Sequence, residues 1–123
     1  EKEEMLPATI YIAPPNYHLL IENDHTFSLD ASEKVNFSRP SIDVTFESAA
    51  EVFKENIVCL LLSGANSDGS AGLKIVKEFG GAALVQDPDS AVVSFMPESA
   101  IANVEVDAVL KSSEMSEYIN NLP

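Results

Sequence analysis

The sequence has 123 residues, enough for one compact domain. With 46% hydrophobic residues it can form a buried core, and its formal net charge of −13 argues against nucleic acids or anionic membranes as partners, because both attract basic patches. A plain solvated surface accounts for this acidity. No apolar run approaches the ~18 residues of a membrane span and no signal peptide is visible, so we expect a cytoplasmic protein without membrane insertion.

The first part of the chain predicts a short strand and a hairpin. Residues 9–13 are rich in β-formers and are followed by two prolines. Residues 18–22 and 26–30 flank Asn23 and Asp24, whose side chains suit a tight turn, so this stretch is typical of a β-hairpin. The chain opens on an acidic segment without a methionine, and we expect it to be a piece of a longer polypeptide.

An amphipathic helix and a buried strand are predicted next. Pro40 suits the first position of a helix. One apolar face then follows at helical spacing, comprising Ile42, Phe46, Ala49, Ala50 and Phe53. The uniformly apolar run at 57–62 is too short for a second amphipathic helix and indicates a buried parallel strand. Cys59, the one cysteine, lies within this run and is interpreted as a small core residue; no internal disulfide is possible.

The remainder alternates between helices and strands. We expect a helix at 69–79 with Leu73, Val76 and Phe79 facing inward, ended by Gly80 and Gly81. A strand at 82–86, a short helix at 97–103, a strand at 108–110 and a final helix presenting Met115, Ile119 and Leu122 follow. This order predicts a three-layer α/β/α, Rossmann-like fold with a mostly parallel, doubly wound sheet, incomplete at its N-terminus and carrying a small β-hairpin. We expect residues 1–123 to form a single, partial domain.

Two polar residues, Asp68 and His18, follow predicted strands, a position where active sites of parallel α/β sheets are commonly formed. Asp68 follows the predicted buried strand, and His18 follows the first predicted strand by a few residues. If both strands run the same way in one sheet, both side chains lie along one edge, where the acid could orient the imidazole as a general base. Taken singly, Asp68 is more often a helix N-cap and His18 a structural histidine.

The sequence as a whole resembles the catalytic domain of the CheB family of chemotaxis protein-glutamate methylesterases. The matching blocks follow the family's order and span nearly the whole chain. They are IAPPNYHL (12–19), RPSID (39–43), FESAA (46–50), LSG (62–64), DGSAGL (68–73), GG (80–81), QDPDSA (86–91) and MPESAI (96–101). No single block is specific, whereas their combination is a strong signal.

The resemblance implies a Ser-His-Asp hydrolase that cleaves glutamyl methyl esters on methyl-accepting chemotaxis receptors and deamidates certain receptor glutamines. It implies His18 and Asp68 as catalytic residues, Ala65 as a main-chain oxyanion donor and Arg39 as a possible substrate contact, with no cofactor and no metal. The family's nucleophile lies in a Gly-x-Ser-x-Gly-like turn, and this sequence contains no such turn. Because this sequence supplies only two of the three triad residues, we expect the chain alone to be inactive. The family's receiver domain has no counterpart here either.

Two other interpretations remain open at this stage. The chain could be a non-catalytic fragment or degenerate homologue that docks on receptors, or a generic α/β domain that binds a small ligand. The latter needs a phosphate-binding loop, and in the only candidate, residues 64–72, Asp68 repels a phosphate. If the first strand is absent, the strand at 57–62 also loses its partner, and we expect possible self-association through the exposed sheet edge.

Overall fold

The structure, a computed structural model, describes residues 2–122. Within this range it contains five strands and four helices, joined by loops and short 3-10 turns. In chain order they are β1 (His18–Ile21), β2 (Phe27–Asp30), α1 (Ile42–Phe53), β3 (Val58–Leu61), α2 (Ser70–Glu78), β4 (Ala82–Gln86), α3 (Phe95–Asn103), β5 (Ala108–Leu110) and α4 (Met115–Asn120).

The centre of the fold is a parallel sheet in the order β3-β4-β5. Cys59 pairs with Ala83 across β3 and β4, and Val85 pairs with Val109 across β4 and β5. Helices α2 and α3 form the crossovers between these strands, as expected for parallel neighbours. The predicted α/β architecture is therefore confirmed, and β4, at the middle of the sheet, is almost fully buried.

The core lies between this sheet and the helices. The predicted inward positions Leu73 and Val76 on α2 are fully buried, as is Ala50 on α1. Ile42 and Phe46 of the predicted apolar face pack against the same cluster. Burial of these aliphatic side chains, each worth roughly 1.5–3 kcal/mol, holds α1 and α2 in contact and fixes the loops at their N-termini.

The hairpin is separate from the parallel sheet and rests on α1. β1 and β2 pair antiparallel, with His18 opposite Asp30. Two hydroxyls of α1 attach the hairpin: Thr45 Oγ1 donates to Leu19 O at 2.7 Å, and Ser48 Oγ accepts from Ile21 N at 3.0 Å. The predicted hairpin is confirmed, but its first strand is antiparallel to a hairpin partner and does not belong to the parallel sheet.

The strand predicted at residues 9–13 is not formed. Ile10 and Ile12 are 92% and 88% exposed, and no described strand offers main-chain groups for them to pair with. The pairing in this part of the chain lies earlier, where Glu4 bridges Thr26 beside the hairpin. A β-rich segment without a neighbouring strand cannot form inter-strand hydrogen bonds. Residues 9–13 are therefore irregular despite their β-forming sequence.

Two helix predictions also need correction. Pro40 precedes α1 by two residues and is not its first residue, because Ser41 takes the N-cap position. Phe79 was expected to face inward but is 37% exposed beyond the end of α2. Gly80 has the predicted left-handed conformation, with φ of +88°, so α2 ends at Glu78 and Phe79 lies in the turn that leaves the helix, where its ring faces Lys54 Nζ at 5.9 Å.

Both outer strands of the sheet, β3 and β5, have one unpaired edge within the described residues. β3 pairs with β4 on one side only, and Val58 at its start is 43% exposed. None of the described helices is both long enough and apolar enough to traverse a bilayer.

Candidate active site

Asp68 lies in the loop between β3 and α2, at the carboxyl edge of the sheet, and its carboxylate is nearly saturated with hydrogen bonds. Oδ1 accepts from Ser41 Oγ at 2.7 Å, Asn36 Nδ2 at 3.0 Å and Asp43 N at 3.1 Å. Among the residues the structure describes, Oδ2 accepts from Ile42 N alone, at 2.6 Å. Because a carboxylate oxygen offers two lone pairs, Oδ2 retains the capacity for one further donor. Asp68 is 3% exposed.

The bonds from Ile42 and Asp43 make Asp68 the cap of helix α1. Both N–H groups belong to the first turn, which has no partners within the helix, and the Ser41 side chain does not cap it. The N-cap role expected of Asp68 is therefore present, but toward α1 and not toward α2, the helix that Asp68 precedes. A negative charge there also interacts favourably with the positive end of the helix dipole.

His18 is buried, with 1% of its surface exposed, and both of its ring nitrogens are engaged. Nδ1 accepts from Ser41 N at 3.1 Å, so the proton sits on Nε2, which donates to Glu33 O at 2.8 Å. The ring thus joins the start of α1 to the loop after the hairpin. Neither nitrogen is left to receive a proton from a nucleophile.

The structure does not join His18 to Asp68 by a hydrogen bond. Ser41 stands between them, with its N–H on the imidazole and its hydroxyl on the carboxylate. The expected arrangement, in which Asp68 orients His18, is thus not what the described residues form. The reason lies in the topology: the strand expected at residues 9–13 is not formed, so no strand of the parallel sheet leads into His18 and places it at the edge where Asp68 lies.

The loop containing Ala65 is held by the segment before α3. Gly64 N donates to Val93 O at 3.0 Å, and Met96 N donates to Gly64 O at 3.0 Å. A Cβ at Gly64 would lie 2.0 Å from Met96 Sδ, so any other residue at this position requires the Met96 side chain to shift. Ala65 itself is exposed, and its N–H makes no hydrogen bond to any residue in 2–122.

Arg39 anchors a loop in this structure. Its Nη1 donates to Ala31 O and Ser32 O, both at 3.1 Å. Nε is buried without a partner among the described residues, and no hydrogen bond of Nη2 is found there. The guanidinium therefore has one nitrogen committed to the loop, and its expected contact with substrate stays a prediction.

The sequence analysis missed three residues that build the site: Asn36, Ser41 and Asp43. Ser41 and Asp43 lie in the RPSID block, but their place in the sequence gives no sign of a contact with Asp68. Asn36 lies in a tight turn closed by two hydrogen bonds between Val35 and Ser38, and nothing in its sequence context signals a contact with Asp68. Its φ of +53° is one that asparagine tolerates better than most residues.

A polar cleft of about 310 Å³ opens beside these residues. Its lining comprises Asn36, Asp43, Ser67, Ser70, Ala71, Lys74, Ser99 and Asn103. Within residues 2–122 no group of three or more histidine, cysteine, aspartate or glutamate side chains is arranged to hold a metal ion.

Comparison with known proteins places this geometry in a family. The sequence profile described as CheB methylesterase matches residues 1–119. A protein of Leptospira interrogans (strain Fiocruz L1-130) named putative protein-glutamate methylesterase/protein-glutamine glutaminase is 56% identical over 99% of this chain. Proteins of Thermotoga maritima and Bordetella parapertussis with the name protein-glutamate methylesterase/protein-glutamine glutaminase are 36% and 40% identical over 98% and 95% of it.

The fold agrees with a solved structure as well. The crystal structure of the Thermotoga maritima CheB methylesterase catalytic domain superposes with a TM-score of 0.92 at 36% identity, covering 97% of this chain and 65% of that one. The fold described above is that of a Rossmann-like α/β domain, and the chain belongs to the CheB methylesterase family. It spans 63% of the Leptospira relative and 36% and 35% of the other two.

Proposed function

We propose that this chain is part of a protein-glutamate methylesterase, a carboxylic ester hydrolase that removes glutamyl methyl esters from chemotaxis receptors and deamidates certain receptor glutamines. Its relatives carry both activities in their names. The observation that carries the proposal is the hydrogen bonding of Asp68: four donors fix its carboxylate, and among the described residues Oδ2 accepts from one of them only, which leaves a lone pair for a further donor. An acceptor so positioned is what the acid of a Ser-His-Asp triad requires.

The serine and the imidazole base come from outside this chain in the proposal. The sequence contains no Gly-x-Ser-x-Gly turn. His18 has both nitrogens engaged, and the other histidine, His25, stacks near Phe53 with ring centroids 5.1 Å apart, on the hairpin side of α1. An incoming imidazole N–H bonds Asp68 Oδ2, which orients the ring and stabilises its cationic form.

The reaction then follows acyl transfer through an ester intermediate. The serine hydroxyl loses its proton to the imidazole and attacks the glutamyl carbonyl; collapse of the tetrahedral intermediate expels methanol, which takes that proton. Water repeats the sequence and releases the carboxylate. The unengaged N–H of Ala65 is our candidate donor to the oxyanion, held in place by the pairing of Gly64 with the 93–96 segment.

The proposed setting is the cytoplasm, where the receptor signalling helices are the partners and no nucleic acid is bound. Arg39, through its Nη2, is proposed to contact a receptor carboxylate. The chain by itself is proposed to be inactive and to associate with its own copies through the open edge of β3.

The test is methanol release from a methylated receptor fragment. The chain is assayed beside a chimera that joins it to the part of the Leptospira relative it does not cover. We expect release by the chimera only, and loss of it in Asp68→Ala. If the chimera folds, as shown by circular dichroism, yet releases no methanol, the esterase proposal fails and the receptor-docking interpretation takes its place. Activity of the chain alone also contradicts the proposal.

A further inference from the structure

Asp68 shares a hydrogen-bond donor with a second buried acid, Asp43. Asn36 Nδ2 donates to Asp68 Oδ1 at 3.0 Å and to Asp43 Oδ2 at 2.7 Å. One amide group therefore separates two carboxylates that are 3% and 9% exposed. Two buried anions this close are tolerated only where donors stand between them and around them.

Asp43 also holds the backbone that follows Asp68. Its Oδ1 accepts from Gly69 N at 2.9 Å and from Gly72 N at 2.7 Å, in the first turn of α2. The approach is close: a Cβ at Gly72 would lie 3.1 Å from Asp43 Oδ1 and 2.8 Å from Phe46 Cβ. Asp43 thus fixes Asp68 from two directions, through the chain at Gly69 and through the side chain of Asn36.

We propose that Asn36 and Asp43 are positioning residues for the esterase reaction: Asp43 holds the Asn36 amide, and Asn36 holds Asp68 Oδ1, so that Oδ2 faces the incoming imidazole. This inference rests on the proposed function. Without the amide, Oδ1 loses one of its three donors, and the remaining bonds from Ser41, Ile42 and Asp43 hold the carboxylate less precisely, so that Oδ2 is aimed less accurately at the base. Misplacement of such an acceptor lowers the rate of proton transfer more than it weakens substrate binding.

The hydrogen-bonded link formed by Asp43, Asn36 and Asp68 also affects how readily the imidazole base is protonated. The titratable or charged groups around Asp68 are Asp43 on α1, His18 beyond Ser41 on β1, and Lys74 on α2, which lines the adjoining cleft. Asp43 adds a second negative charge near the imidazolium that forms during catalysis. Removing that charge, or letting Asp68 Oδ2 turn away, stabilises the imidazolium less and moves the acidic limb of the pH–rate profile to lower pH.

Two variants of the chimera break the link with little other change. Asn36→Ala removes the shared donor, whereas Asp43→Asn keeps an oxygen for Gly69 and Gly72 but turns an NH₂ group toward Asn36. We expect each to lower kcat by about 10- to 100-fold with KM changed less than about twofold, and to move the acidic limb downward. The double variant is expected to lose no more than the worse single variant, because both break the same link.

The matched control is Asn103→Ala, which alters the same cleft at an amide that bonds Ser99 O and neither acid. It is expected to leave kcat and the pH profile unchanged. If Asn36→Ala and Asp43→Asn fold, release methanol at the parent rate and keep the parent pH profile, the proposal is overturned. Additive losses in the double variant overturn it as well. Asp68→Ala separates the two proposals: if it retains full activity, the function assigned to this site is wrong, whatever the positioning variants do.

Discussion

Asp43 and Asp68 each accept hydrogen bonds from the helix that the other residue helps to begin. Asp68, just before α2, caps α1 through Ile42 N and Asp43 N. Asp43, in the first turn of α1, receives Gly69 N and Gly72 N at the start of α2. The two helix N-termini are therefore tied together at the site, and their positions relative to Asp68 depend on both acids.

Gly72→Ala is expected to destabilise the chain although it replaces glycine within a helix. Alanine in a helix ordinarily gains roughly 0.5–1 kcal/mol over glycine. Here the new methyl group meets Phe46 Cβ at 2.8 Å and Asp43 at 3.1 Å, which forces α2 away from α1. We expect a net loss of about 1–2 kcal/mol in the free energy of unfolding, measured by urea denaturation followed by circular dichroism. Lys74→Ala, exposed on the same helix, serves as the control and should change it by less than about 0.5 kcal/mol; a stabilised Gly72→Ala contradicts the packing described.

His18→Ala is expected to affect stability and not the chemical step. The substitution leaves Ser41 N and Glu33 O without their ring partners and opens a cavity at the start of α1, so we expect a loss of about 3 kcal/mol. In the chimera, assayed at a temperature where it is folded, kcat should remain within about tenfold of the parent, whereas Asp68→Ala should lose about 10⁴-fold. If a folded His18→Ala variant loses as much kcat as Asp68→Ala, this prediction is wrong and His18 acts in the catalytic triad.

Cys59 is expected to be unreactive in the folded chain. Burial in the core raises the pKa of its thiol from 9.0 to about 12, which lowers the thiolate population near pH 8 on the order of a thousandfold. Iodoacetamide at pH 8 should label Cys59 rapidly in concentrated urea and very slowly in the absence of urea, as measured by mass spectrometry. Because the folded pKa is the higher one, the protonated thiol contributes stability that is present below about pH 9 and declines as the pH rises toward 12. Rapid labelling of the native chain contradicts this burial.

The open edge of β3 is expected to drive self-association of the isolated chain. Val58, on that edge, is 43% exposed, and β3 pairs only with β4 among residues 2–122. We expect sedimentation velocity to show species larger than a monomer at micromolar concentrations, and Val58→Lys to reduce them, because a lysine on an edge strand disfavours further pairing. Val109→Lys, on the opposite edge and 42% exposed, is the matched control. A monodisperse monomer at every concentration contradicts the proposed association.

Strong periodic patterns predicted most of the fold. β4 and β5 have the predicted bounds, and the helix beginning at Ile42 has its predicted apolar face because its spacing of buried residues admits one orientation only. Residues 9–13 were wrongly predicted as a strand, since strand formation depends on a neighbour that the local sequence cannot reveal.

The site was predictable in part, for a related reason. Asp68 was found because it follows a buried strand, a position with meaning in any parallel sheet. His18 was expected at the sheet edge because it follows residues 9–13; that segment forms no strand, and the imidazole instead bonds Ser41 N at the start of α1. The roles of Asn36 and Asp43 depend on contacts between residues 7 and 32 positions apart, and no local pattern encodes them.

The double use of Ser41 bears on how variant libraries of such domains should be scored. Its N–H donates to His18 and its hydroxyl donates to Asp68, so a change that loosens the hairpin at His18 reaches the acid directly through Ser41. A screen that measures only total activity therefore cannot distinguish variants at position 18, which lose stability, from variants at position 68, which lose the chemical step. Reporting soluble yield beside turnover for each variant separates the two classes.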